Sequence, residues 1–226
     1  MNLTYYGHSS FLLETGGRKL LFDPFISPNP LAKDIDVAQI EADYILLSHG
    51  HGDHVADVEA IGSRTGAELI GMVEVVGWFG AKGLKATYGM NVGGTLHLPF
   101  GTVKMVAALH SSSMPDGSYG GIAAGFLIEA EGKTVYFAGD TALSYEMKLL
   151  GERYNVDAAL LPIGDHYTMG IDDALVAAEW AGASRIIGMH FDTFPPIAID
   201  HAAAQAKAQQ AGKELTLLKI GETITL

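Results

Sequence analysis

The sequence predicts a single α/β domain of stacked sheet and helix layers. Three observations carry that prediction. Short apolar runs of strand length recur along the whole chain, helical patterns alternate with them in both halves, and no low-complexity linker separates the halves. The 226 residues suit one domain, spanning residues 1–226. A hydrophobic fraction of 48% supplies a core, and 28 glycines supply the turns between short strands.

The chain opens with a β-meander: LTYYG, SFLLET and, after a turn at GGR, the strand KLLFD. An irregular loop, PFISPNPLAKD, follows. DYILLS is a nearly continuous apolar run, the pattern of a strand buried on both faces. DHVADVEAIGSRTG has helical spacing at Val55, Val58, Ala60 and Ile61 and stops at glycine, which predicts one helix over 53–66. From Ala67 to Ala107 strand candidates alternate with a helix around VEVVGWFGAKG, and GTLHLPFGTVKMVAAL reads as a hairpin. A second strand-rich block, GIAAGFLIEAEGKTVYFAGD, turns at AEGK. Helix LSYEMKLLGERY, strand VDAALLPIG, helix IDDALVAAEWAG, strand SRIIGMH and helix IDHAAAQAKAQQAG come next, and ELTLLKIGETITL closes the chain as a strand pair.

Lys plus Arg is 14 and Asp plus Glu is 26, giving a net charge of −12 with no basic cluster. A general nucleic-acid or anionic-membrane binder needs a positive footprint, so both classes are disfavoured. Metal ions would still make a local positive site. With no cysteine, disulfides are excluded and any metal must be held by nitrogen and oxygen. The amino terminus lacks the basic start and apolar segment of a secretory signal, and no apolar run approaches a membrane span. We expect a soluble, unprocessed chain, compatible with the cytoplasm. A homo-oligomer is left open.

Four apolar runs each end in a histidine or an aspartate. His49 follows YILLS, His110 follows VKMVAAL, Asp140 follows TVYFAG and His190 follows SRIIGM. Sites in layered α/β folds gather where strands give way to loops, so these ends are expected to converge. Within HGHGDH, Gly50 and Gly52 remove Cβ clashes and allow His49 and His51 to face one metal. Asp53 and His54, opening the following helix, turn toward a second, and the helix amino terminus favours the Asp53 carboxylate. A dinuclear site needs roughly three protein ligands per metal plus a bridge, with ions about 3.5 to 4 Å apart. His49, His51 and His110 would hold one ion, Asp53, His54 and His190 the other, and Asp140 would lie between them. A lone strand-end histidine is usually a hydrogen-bonded surface or core residue; so many at such positions point to metal.

These motifs make the chain similar to the metallo-β-lactamase superfamily across its length. More narrowly, YYGHSSFLLE, SHGHGDH, LHSSS, FAGDT, LPIGDHYTMG and MHFDTFP resemble the bacterial and archaeal metal-dependent hydrolases related to the L-ascorbate-6-phosphate lactonase and N-acyl-phosphatidylethanolamine phospholipase D groups. The resemblance implies a four-layer αβ/βα sandwich, two facing mixed sheets flanked by helices, with the metals at one edge. It assigns the same seven residues as ligands. Many members of the narrower family read PIGGHYTMG, and this chain has Asp165 at the second glycine, which weakens transfer of a role to His166.

The expected activity is hydrolysis by a metal-bridging hydroxide on an ester, lactone or phosphodiester bond of a small-molecule substrate. Two divalent ions are implied. Zinc is the default, and Mn2+, Fe2+ or Ni2+ also suit the donors. Asp53 and His166 are the candidate catalytic proton carriers. Asp23, closing KLLFD, is expected to accept the second ring N–H of a ligand histidine, and His8 to line the pocket or bond to substrate. His97 and His201 receive no role. The 111–121 loop reads as substrate-facing, and Trp78, Phe79, Phe191 and Phe194 as candidates for an apolar wall. A nuclease is one alternative, set back by the acidic charge and the absence of an inserted domain. The other is a non-hydrolytic metal-binding or redox protein, whose superfamily examples are expected to carry a fused flavin domain.

Overall fold

The computed structural model describes residues 1–226. Two mixed sheets of seven strands each face one another. The first begins with the antiparallel meander β1 (Asn2–Gly7), β2 (Ser10–Thr15) and β3 (Arg18–Phe22). It continues in parallel through β4 (Tyr44–Leu47), β5 (Glu68–Met72) and β6 (Lys85–Met90). The second sheet repeats this plan. β7 (Thr95–Leu98), β8 (Gly101–Ala107), β9 (Ala124–Ala130) and β10 (Lys133–Phe137) are antiparallel, and β11 (Ala158–Pro162), β12 (Arg185–Met189) and β13 (Glu214–Thr216) then run parallel to β10.

The closing strand β14 (Thr223–Thr225) lies antiparallel to β1. The expected terminal strand pair therefore does not form: β13 extends the second sheet and β14 the first. Each satisfies the unpaired N–H and C=O groups of a different open edge.

Phe11 and Phe22 of the first sheet meet Phe126 and Phe137 of the second in the central core. The Phe22 and Phe137 ring centroids are 4.8 Å apart, and Phe22 and Phe126 are at 6.5 Å. Helices cover the outer faces. α3 (Val73–Gly80) packs on β5 and β6, while α4 (Glu146–Arg153), α5 (Ile171–Trp180) and α6 (His201–Gln210) pack on one another and on β11 and β13.

The single helix expected over 53–66 is broken into α1 (Gly52–Val55) and α2 (Val58–Thr65). Asp57 causes the break. Its buried Oδ2 accepts from Ile26 N at 2.6 Å and Ser27 N at 2.9 Å, and its Oδ1 from the Ser27 hydroxyl. A charged acceptor with several donors outweighs one continuous helical turn.

β8 and β10 are both antiparallel to β9, so they run the same way, and β12 runs with them. Their carboxyl ends therefore reach one edge of the sandwich. The carboxyl ends of β3 and β4 meet them there, joined by a hydrogen bond from Ala124 N to the Ser48 carbonyl at 3.0 Å.

Candidate metal centre

His49 follows β4 by one residue, Ser48, whose carbonyl is pinned to the opposite sheet. The backbone then turns through Gly50, packed so closely on the 111–121 loop that a Cβ would lie 2.5 Å from Met114 Sδ and 2.9 Å from the Ser113 carbonyl. Gly50 N also donates to Ser112 Oγ at 3.2 Å. Gly52, by contrast, has open space around its Cβ position. Only one of the two glycines is thus demanded by packing. Asp140 comes after Gly139, which has φ +62° and where a Cβ would lie 2.6 Å from the Ala124 carbonyl.

The structure brings together all seven side chains expected as ligands, in two groups. His49, His51 and His110 form one, with His49 Nε2 2.9 Å from His51 Nδ1. Asp53, His54 and His190 form the other, and His8 joins them. Asp140 lies between the groups: its Oδ2 is 3.3 Å from His54 Nε2, 2.9 Å from His190 Nε2 and 3.7 Å from His110 Nε2.

Asp23 sits behind both groups with no solvent exposure. Its Oδ1 accepts from Ser48 N at 2.8 Å, and its Oδ2 accepts from Ser48 Oγ at 2.5 Å and from His54 Nδ1 at 2.8 Å. Ser48 Oγ, having given its proton to Asp23, accepts from His49 Nδ1 at 2.9 Å. One carboxylate thereby orients two rings, turning Nε2 of His49 and of His54 into the site, where His54 would give up its second proton on coordinating an ion. His54 Nε2 and Asp140 Oδ1 are buried without any hydrogen-bond partner. Orphaned buried donors of this kind fit divalent cations.

Burial pushes His49 well below its ordinary value, lowers His51 and His110, and takes His8 down to about 4. These imidazoles are neutral and ready to coordinate. Burial also opposes a charge on His54, but Asp140 and Asp23 hold it well above the usual range. Burial raises Asp23. For Asp53 and Asp140 burial is overcome by the surrounding histidines: the His8 hydrogen bond leads for Asp53, the fields of His54 and His190 for Asp140, and both stay well below the usual carboxylate range. The pocket calls for positive charge.

A cleft of about 440 Å³ opens over these residues, lined by His51, Asp53, His110, Asp140 and His190 together with Ser111, Tyr167 and Phe194. His166 is not on its wall. Its ring is exposed and packs edge-on against Tyr167 at 4.4 Å. Tyr167 is a cleft residue that sequence reasoning missed, although its motif, HYTMG, had been singled out. Of the four expected aromatics, Phe194 reaches the cleft, Phe79 lies in the core, Phe191 lines a neighbouring cavity and Trp78 braces Asp116. His8 is buried behind Asp53 and does not line the cleft.

The 111–121 loop contributes Ser111 and is internally tied. Met114 is buried, Met114 N donates to the Ser118 carbonyl at 2.9 Å, and Asp116 Oδ2 accepts from Trp78 Nε1 at 2.9 Å. His97 is exposed, and His201 pairs with Asp192 at 2.6 Å, away from the cleft.

A family model described as a beta-lactamase superfamily domain matches residues 2–190. The chain is 48% identical to a UPF0173 metal-dependent hydrolase of Flavobacterium johnsoniae over 100% of both chains. It is 47% identical to one of Methylacidiphilum infernorum, again over 100% of both. Among solved structures it is similar to Igni18, a metallo hydrolase of Ignicoccus hospitalis, with 37% identity and a TM-score of 0.89 over 99% of this chain and 97% of that one. An isothiocyanate hydrolase from Delia radicum gut bacteria shares the fold at 20% identity, with a TM-score of 0.77 over 100% and 99% of the two chains.

Proposed function

The chain belongs to the beta-lactamase superfamily, as a metal-dependent hydrolase of the UPF0173 group, and we propose that it uses two divalent ions to hydrolyse an ester, lactone or phosphodiester bond of a small molecule. One observation carries the two-ion reading. Strand ends from both sheets deliver two groups of buried and half-buried nitrogen and oxygen donors, with Asp140 shared between them and two donor atoms left without partners, to the base of a single cleft.

His49, His51 and His110 would hold one ion, Asp53, His54 and His190 the other, with Asp140 between. When bound, such ions lower the pKa of water toward about 7 and polarise a carbonyl or phosphoryl oxygen. Zinc fits the donors, as do manganese, iron and nickel. The chain's own residues do the rest. Asp23 holds the imidazoles in the coordinating tautomer. Asp53, ionised and partly open to the cleft, has Oδ2 engaged by His8 and keeps Oδ1 to hold a proton released during turnover. Tyr167 and Phe194 give the substrate body an apolar wall. His166 would serve the leaving group only after turning inward past Tyr167.

No helix is long and apolar enough to cross a membrane. The test is to strip the protein with a chelator and restore zinc, manganese or iron while assaying aryl esters, lactones and bis-aryl phosphodiesters. Turnover of at least one class should vanish and return with metal; turnover indifferent to chelation would remove the reading.

A further inference from the structure

We propose that His8 is itself a ligand of the second ion, joining Asp53, His54 and His190 through its Nε2. The inference rests on the two-ion reading above. His8 occupies the turn between β1 and β2, where side chains ordinarily point to water. Here the ring is buried, 1% exposed, and lies 4.1 Å from the His190 ring and 5.5 Å from the His54 ring between centroids.

The backbone is bent to put it there. His8 adopts φ +54°, a left-handed conformation that favours glycine or asparagine, and its carbonyl accepts from His190 N at 2.8 Å. His190 is left-handed too, at φ +55°. Two strained residues, one from each sheet, are thus locked together, and both aim Nε2 at Asp53.

The hydrogen bonds allow the tautomer that coordination needs. With no ion bound, Nε2 donates to Asp53 Oδ2 at 3.2 Å; Thr193 Oγ1, which donates to the Phe191 carbonyl at 3.4 Å, can accept from His8 Nδ1 at 3.0 Å. With the ring proton on Nδ1, the Nε2 lone pair is free to face a cation held by Asp53. His54 Nε2 and His190 Nε2 are each 4.0 Å from the same Oδ2, and the four donor atoms all lie within 4.8 Å of one another. Metal–donor bonds of about 2.1 Å place neighbouring ligands about 3.0 to 3.5 Å apart, so small inward shifts complete the set.

The two ions then differ. The first has His49, His51, His110 and the shared Asp140, the set for tetrahedral zinc. The second has one more protein donor, which suits ions of higher coordination number such as manganese, iron or nickel.

The experiment is cobalt(II) titration of the chelator-treated wild type and His8→Gln, with visible spectra, competition against a chelator, and diffraction from the loaded wild type. We expect His8 Nε2 at bonding distance from the ion beside Asp53. His8→Gln should bind that ion at least about 100-fold more weakly, a loss at or beyond the upper end of that for an outer-shell partner, with an altered cobalt band, while the ion at His49 is unaffected. Wild type holding two ions with Nε2 beyond 3 Å, or His8→Gln giving an unchanged second cobalt band, overturns this inference alone. Wild type holding no second ion overturns the two-ion reading with it. Diffraction from the wild type decides the matter even if His8→Gln does not fold.

Discussion

Asp23 offers nothing to the cleft, yet the coordinating chemistry hangs on it. Its carboxylate holds Ser48 N, Ser48 Oγ and His54 Nδ1, and through Ser48 it orients His49, so one side chain sets a ligand in each group. Asp23→Ala should lower metal affinity by about 10- to 100-fold by releasing both rings. It should also destabilise the protein by about 1–3 kcal/mol for each buried donor left unpaired. Isothermal titration with zinc and urea unfolding would check the two parts, and unchanged zinc affinity would refute the tautomer argument. This residue was legible in the sequence because it ends an apolar run, as the ligands do. His8 was legible only as a residue lining the pocket or bonding to substrate, not as one buried behind Asp53, and Tyr167 was not legible at all. A histidine in a tight turn reads as a surface residue until the opposite sheet is seen to cover it, and Tyr167 stands beside a histidine that draws the chemical eye while its own ring takes the wall.

Between β4 and α2, the loop that carries most of the ligands makes unequal use of its glycines. A side chain at Gly50 would drive into Met114 and the Ser113 backbone, whereas at Gly52 it would meet nothing. Gly50→Ala should therefore shift His49 and His51, weaken the first ion and cut turnover by tenfold or more, while Gly52→Ala should leave metal content within error. Metal analysis of the two purified variants decides this, and equal losses would contradict it. Local pattern predicted the strands and helices of this region well, because burial on one or both faces leaves a periodic trace. It missed the break at Asp57, whose cause is a set of backbone donors in the 24–27 segment, and it paired β13 with β14, whose partners are set by which sheet edges stand open.

On the scale of the molecule, the site is an electrostatic load carried by the sandwich. Below the ordinary histidine value of about 6.5, the unfolded chain binds protons on His8, His49, His51 and His110 that the folded, metal-free protein refuses. Stability should therefore fall as pH falls from 6.5 toward 4. His8 alone accounts for about 3 kcal/mol of this by pH 4. His54, raised, is protonated in both states only well below pH 6.5 and opposes the trend at and above it, where the unfolded chain has lost that proton, and raised Asp23 opposes it as well. Urea midpoints of the chelator-treated protein at pH 6 and 4.5 would show the drop. Saturating zinc at neutral pH should add about 2.7 kcal/mol for each ion present at a hundred times its Kd. The layered architecture was readable from alternation alone, and the convergence of distant strand ends from their chemistry. What the alternation did not disclose is how firmly the entrance is framed. With Met114 sunk into the core and Trp78 clasping Asp116, we expect the rim beside the candidate metal centre to behave as masonry rather than as a curtain. Guests are then sorted by whether they pass a doorway of set dimensions. Stopped-flow mixing with a non-hydrolysable analogue should give one exponential whose rate climbs linearly with concentration, and a plateau would reveal a closing step that this framing forbids.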